Sequence, residues 1–205
     1  MMKVIGICGS TGSGKSTLCS LLSDRGFPVL DCDEIYHELV NSPSECLREI
    51  CGNFGEELIV NGALDRNALG KIVFASPEKL ARLNEISHYY VTLQIKKEIE
   101  ILTKKGYSHC FIDAPMFYEA NLEKICDSVC AVISDPDLQI ARVCERDHIA
   151  REKAKKRIEN QISADVLREK ADFVIENTGS MRDFESRCYE FFEKIELTKG
   201  KNDVF

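Results

Sequence analysis

Val4-Ile5-Gly6-Ile7-Cys8-Gly9-Ser10-Thr11-Gly12-Ser13-Gly14-Lys15-Ser16-Thr17 joins an apolar run to a glycine-rich turn that ends on a lysine and two hydroxyls. Such a run, leading at once into a turn and then into helical spacing, predicts a buried strand over 3–8 and a helix from Ser16 to Arg25. Gly9, Gly12 and Gly14 allow a tight turn whose N–H groups point inward, and the helix N-terminus adds further donors for an anion. Ser13 lies within that cradle. Lys15 is spaced to place a compact charge on β- and γ-phosphates, and the Ser16 hydroxyl to ligate Mg²⁺. Thr17 makes an auxiliary contact. The loop therefore predicts binding of a nucleoside triphosphate and leaves open the fate of its phosphate.

Beyond the loop, short apolar strands alternate with helical stretches. Strands are expected at 27–30, 110–112, 128–133 and 173–175, each running into a polar turn. This alternation predicts an α/β fold of three layers with a parallel central sheet, the glycine-rich loop makes it a phosphate-loop fold, and the long helical stretch between the second and third strands is expected to form an acceptor-binding insertion. Ligands of such sheets gather at the carboxyl ends of the strands, where Gly9, Asp31, Asp33, Asp113 and Asn177 fall. The expected divisions are a nucleotide-binding core (1–33, 106–140 and 171–197), a helical acceptor-binding region (34–105), a lid (141–170) and a flexible tail (198–205). Within the insertion, His88 is expected to begin a long helix with Val91, Ile95, Ile99 and Leu102 on its buried stripe. The last helix should bury Phe184, Cys188, Phe191 and Ile195.

Composition narrows the function classes. The chain has 205 residues, 44% apolar and 30% charged, and a formal net charge of −7. An acidic chain lacks the basic face that a general nucleic-acid binder needs. The opening MMKVIGICGS has neither the length nor the flanks of a signal peptide, and no run approaches a membrane span. The expectation is a cytoplasmic protein without nucleic-acid or membrane partners, a monomer or weak homo-oligomer. Ten cysteines without a C-x-x-C pair read as reduced, mostly buried thiols.

The remaining polar residues separate hydrolysis from transfer. A GTPase would carry Asn-Lys-x-Asp after a later strand, and none is present. Asp31 and Asp33 flank Cys32 just after the second strand, where an acceptor hydroxyl would approach the γ-phosphate. Asp33 is the expected base accepting its proton; Asp31 orders the loop or a metal-bound water. The structural alternative for both is a helix N-cap before EIYHEL. Asp113, after the strand HCFI, should approach Mg²⁺. Glu119 reads equally as an acceptor contact or a solvated residue. Arg142 and Arg146 share a helical face and point to nucleotide phosphates, with Arg157 further along the basic segment. His37 comes after Asp33 on the next helix and faces the acceptor. Two readings compete with phosphoryl transfer to the expected acceptor: a kinase of a nucleoside monophosphate or sugar acid, and a nucleotide-binding protein without transfer activity.

Taken in order, IGICGSTGSGKST, PVLDCDEIYHELV, LDRNALGKIVF, LARLNEISH, IDAPMFYE, QIARVCERD, RIENQIS and KADFVIENTGS resemble the dephospho-coenzyme A kinase family over nearly the whole chain. That resemblance implies ATP-dependent phosphorylation of the ribose 3′-hydroxyl of dephospho-CoA, the last step of coenzyme A synthesis, with Mg²⁺. It implies that residues 12–17 bind ATP, that Asp33 acts on the acceptor, and that Asp31 and Asp113 support the site. Arg66, His88 and Phe117 would meet dephospho-CoA, Arg142 would belong to the lid, Asn177 would lie near the adenine, and Gln161 would close the lid against the core. Three departures stand out. Ser10-Thr11 replaces a glycine and an aliphatic residue, Tyr89 replaces the proline expected after His88, and Met116-Phe117-Tyr118 replaces Leu-Leu-Phe.

Overall fold

The computed structural model describes residues 2–197. The tail expected over 198–205 lies outside them. In chain order the elements are β1 (Lys3–Cys8), α1 (Lys15–Ser23), β2 (Val29–Asp31), α2 (Cys32–Asn41), α3 (Glu45–Phe54), β3 (Ile59–Val60) and β4 (Ala63–Leu64). They continue with α4 (Arg66–Val73), α5 (Pro77–Lys104), β5 (His109–Asp113), β6 (Ser128–Ile133), α6 (Pro136–Asp147), α7 (Arg151–Glu159), α8 (Ala164–Lys170), β7 (Phe173–Glu176) and α9 (Met181–Lys194).

The chain divides into two compact units, one formed by residues up to Leu30 and from Leu102 onward, the other by Asp31–Ile101. In the first, five strands take the order β2-β5-β1-β6-β7. β1 runs parallel to β5 on one side and to β6 on the other, with Gly6 opposite both Ile112 and Val129. The connection leaving β1 runs to β2 on one side while the one leaving β5 crosses to β6 on the other, and the loop after β1 opens where these directions diverge. Ile5 and Ile7 point to one face and pack with Leu18 and Leu22 of α1 and with Phe184, Cys188 and Phe191 of α9. Ile195, just past the end of α9, completes the expected apolar stripe. Gly6 is required on the opposite face: a Cβ there would sit 2.1 Å from Cζ of Phe117.

α6 begins at Pro136 behind the N-cap Asp135, whose carboxylate accepts from the backbone N–H groups of Asp137 and Leu138. It ends at His148, which adopts φ 52°. The division expected between 140 and 141 therefore falls inside one continuous helix. Ile140 and Val143 of α6 bury Ala154 of α7, joining the two in a small apolar cluster.

The second unit is not wholly helical. Ile59–Val60 pairs with Ala63–Leu64 in an antiparallel hairpin, turned at Asn61 (φ 54°) and Gly62 (φ 82°). Asn-Gly takes positive φ at both central positions more readily than most dipeptides, so this turn closes the two strands where helix breaks alone were expected. Leu58, Leu64, Leu69 and Val73 pack with Ile50 and Ile86 in this unit's core. α5 runs 28 residues from Pro77, whose missing N–H costs nothing in a first turn. His88 is thus an interior residue of α5 and does not begin it. The Tyr89 substitution accordingly falls mid-helix, on an exposed ring.

Candidate active site

The loop expected to grip phosphate forms between β1 and α1. Gly12 has φ 77° and Gly14 φ 106°, backbone that L side chains resist. Gly14 is the N-cap of α1 and supplies no side-chain acceptor, so no N-cap side chain covers the start of the helix, whose first amides can turn to an anion. A Cβ on Gly14 would lie 2.3 Å from Nδ2 of Asn177, and one on Gly9 would lie 2.5 Å from the Val132 carbonyl oxygen. The Ser13 hydroxyl is fully buried and has no hydrogen-bond partner among the described residues. Lys15 and Ser16 open α1, with Thr17 in the same turn.

Beneath the loop lies a network that sequence reading missed. The Asn177 amide donates to the Ser13 carbonyl at 2.8 Å, and its Oδ1 accepts from Nη2 of Arg142 at 3.1 Å. Nη1 of Arg142 donates to the Gly12 carbonyl at 3.2 Å and to Ser134 Oγ at 3.1 Å. Ser134 in turn donates to the Asn177 carbonyl at 2.5 Å. Both ends of the Asn177 amide, a residue expected to lie near the adenine, are thus engaged by protein in a buried setting. Arg142 is an interior residue of α6 that ties the loop's carbonyls to the ends of β6 and β7. Its guanidinium, expected on the nucleotide phosphates as part of a lid, meets the loop's backbone here.

At the carboxyl end of β5, Asp113 is buried and takes the Lys15 ammonium on Oδ1. Its Oδ2 accepts from the Cys19 thiol at 3.2 Å, one helical turn beyond Lys15 on α1. Lys15 and Asp113, both expected in the site, are therefore brought together. Ser16 and Asp113 offer hard oxygen donors of the kind Mg²⁺ takes, one hydroxyl and one carboxylate beside a site for phosphates. Among the described residues, no group of three or more His, Cys, Asp or Glu side chains is placed to hold a metal ion.

The loop's rim is joined to α6 and α7 through the two residues that depart from the family pattern. Gln139 Nε2 donates to Ser10 Oγ at 2.6 Å, and Arg146 Nη2 reaches Thr11 Oγ1 at 3.3 Å. The Thr11 N–H donates to Gln161 Oε1 at 2.8 Å, so Gln161 closes the segment after α7 against the loop as expected. A cleft of about 300 Å³ opens here, lined by Cys8, Gly9, Ser10, Glu119, Arg157 and Gln161 among others. Glu119 is exposed at its edge. Phe117, expected to meet the acceptor, is 1% exposed, its ring packed on Gly6, and it also lines this cleft.

In the second unit, Asp31 is the N-cap of α2, accepting at Oδ1 from the N–H groups of Asp33 (2.8 Å) and Glu34 (3.2 Å). The structural alternative is therefore realised for Asp31, while Asp33, exposed in the first turn, is presented by that cap. Nη1 of Arg66 lies 2.9 Å from Nε2 and 3.2 Å from Nδ1 of His37, which unites two of the expected acceptor contacts. His88 is half-buried, two turns before Ile95 on α5.

None of the ten cysteines forms a disulfide, and seven are buried. Burial pushes the thiols of Cys8, Cys126 and Cys188 up to about 12. No helix among the described residues is long and apolar enough to cross a membrane.

A dephospho-CoA kinase of Listeria monocytogenes is 37% identical over 200 residues, covering 97% of this chain and all of its own. The crystal structure of TT1252 from Thermus thermophilus matches with a TM-score of 0.79 at 32% identity, over 96% of this chain and 98% of that one. A dephospho-CoA kinase from Campylobacter jejuni matches with a TM-score of 0.72 at 29% identity, over 95% and 98% of the two chains. The family model described as "CoaE: Dephospho-CoA kinase" spans residues 3–183. With the loop, the parallel sheet and near-complete coverage in agreement, this chain belongs to the dephospho-CoA kinase family, a family of phosphoryl-transferring enzymes.

Proposed function

We infer that this enzyme transfers the γ-phosphoryl group of ATP to the ribose 3′-hydroxyl of dephospho-CoA, giving CoA and ADP. The observation that most supports this reading is the loop from Gly9 to Ser16, with Lys15 held at Asp113, in a chain of this family. The loop amides and the α1 N-terminus bind the phosphates of ATP, and Lys15 leaves Asp113 for the β- and γ-phosphates, where charge accumulates during transfer. Mg²⁺, bound through Ser16 and Asp113, would neutralise that charge further. The acceptor oxygen attacks the γ-phosphorus, the bond to the ADP oxygen breaks, and the hydroxyl proton passes to the Asp33 carboxylate. Asp31 fixes Asp33 by capping the helix that carries it. Arg66, with His37 beside it, offers a cationic contact for the acceptor's phosphates, and His88 belongs to the same acceptor-binding unit.

Incubation of the purified protein with ATP, Mg²⁺ and dephospho-CoA, with AMP and gluconate as parallel acceptors, tests the reading by product mass. Gain of one phosphate by dephospho-CoA alone is expected, with turnover lost and ATP binding kept in Asp33→Asn. Transfer only to another acceptor would overturn the substrate assignment, and unchanged turnover in Asp33→Asn would reject that residue as the base.

A further inference from the structure

Asp147, the last residue of α6, holds two arginines from two helices. Its Oδ1 accepts from Nε of Arg146 at 2.7 Å, and its Oδ2 from Nη2 of Arg146 at 3.1 Å and Nη1 of Arg157 at 2.5 Å. The carboxylate is 23% exposed. Hydrogen bonds from Arg146 first, and then Arg157, hold its carboxyl down at about 2. Each guanidinium keeps donors that this carboxylate does not use. Arg146 meets Asp147 through Nε and Nη2, with Nη2 also turned to Thr11 at the loop's rim. Arg157 meets it through Nη1 alone and lines the cleft beside Gly9 and Ser10. Gln161, one turn past Arg157, is anchored on the Thr11 N–H, which fixes the distance of α7 from the loop.

Two guanidinium groups so close would repel and scatter without an anion between them. We propose that Asp147 is a positioning residue that sets Arg146 and Arg157 as a paired-guanidinium clamp for the terminal phosphate of the bound nucleotide. Guanidinium forks suit phosphate oxygens, and fixing two rotamer-rich side chains beforehand removes an ordering cost from binding. Asp147 itself touches no phosphate. The proposal rests on the kinase reading only in taking a nucleoside triphosphate as ligand.

The test is equilibrium binding of the β,γ-imido analogue of ATP and of ADP to the full chain and to Asp147→Asn. The variant should weaken the triphosphate analogue about tenfold while ADP changes less than about twofold, since only the terminal phosphate meets the clamp. In an Arg146→Ala/Arg157→Ala background the same substitution should have no further effect, and Asp147→Glu, which keeps the charge, should recover part of the loss. Equal weakening of both nucleotides, a loss that persists without the arginines, or unchanged binding would overturn the proposal. Should Asp147→Asn fail to fold, Asp147→Ser carries the same comparison. A wild-type protein that binds the analogue but phosphorylates an acceptor other than dephospho-CoA would sink the proposed substrate and leave the clamp standing.

Discussion

Arg142→Met separates support of the loop from contact with nucleotide. The methionine keeps most of the stem's length and removes a guanidinium that donates to Gly12 O, Ser134 Oγ, Asn177 O and Asn177 Oδ1 at 3.1–3.4 Å. Ser134 and Asn177 are buried, so their oxygens lose a donor where water does not readily replace it. Hydrogen bonds to a charged donor contribute about 1.5–3 kcal/mol each, but these four share one half-buried group and the one to the Asn177 carbonyl is long at 3.4 Å, so the expected loss is about 2–3 kcal/mol in total. For a chain of this size each kcal/mol lowers Tm by about 2–4 °C, so the midpoint should fall by roughly 5–10 °C. Scanning calorimetry of the nucleotide-free protein reads this directly. A midpoint within about 1 °C of wild type, together with weakened ATP binding, would refute the support role and return Arg142 to the phosphates.

Gly14→Ala should abolish nucleotide binding in a titration with ATP, because its Cβ meets the Asn177 amide at 2.3 Å with φ at 106°. Retained affinity would mean that the loop adapts. Gly6→Ala should cost about 1–3 kcal/mol in a denaturant melt by driving a methyl group into the Phe117 ring, and Gly6→Ala/Phe117→Leu should recover part of it. A destabilisation unrelieved by the smaller side chain would place the strain elsewhere. At pH 8, Cys8, Cys126 and Cys188 should resist a disulfide reagent in the native protein and react after unfolding, since thiols pushed up to about 12 form thiolate only at far higher pH. Rapid native labelling at Cys8 or Cys188 would contradict their burial.

The phosphate loop, the strands and the nucleotide-binding character of the first unit were legible because each rests on near neighbours. Glycines at fixed offsets from a lysine set the turn, and an apolar run before them sets the strand. The N-cap at Asp31 was readable in the same way, as an aspartate two residues before the N–H that it accepts. The hairpin at Asn61-Gly62 was equally local, but the helical residues around it masked two short strands. His88 was misplaced because a helix boundary depends on which face is buried, and α5 continues through it.

Other roles lay beyond any local pattern. Nothing near Phe117 says that its ring fills the space left by Gly6, more than a hundred residues earlier. Arg142 and Asn177 looked like nucleotide contacts because arginines on a helix and a polar turn after a strand supply both phosphate ligands and scaffolds. Which of these they become depends on the Gly12 and Ser13 carbonyls that the fold brings to them. Asp147 had no signal of its own, a lone acid in a charged segment. By itself the sequence determined the backbone of the loop, the α/β alternation and the chemical groups available, since those depend on a residue and its immediate neighbours. Only the tertiary structure decided which groups hold the loop and which fill the core, because hydrogen bonds and packing act between atoms in contact, however far apart they stand in the chain.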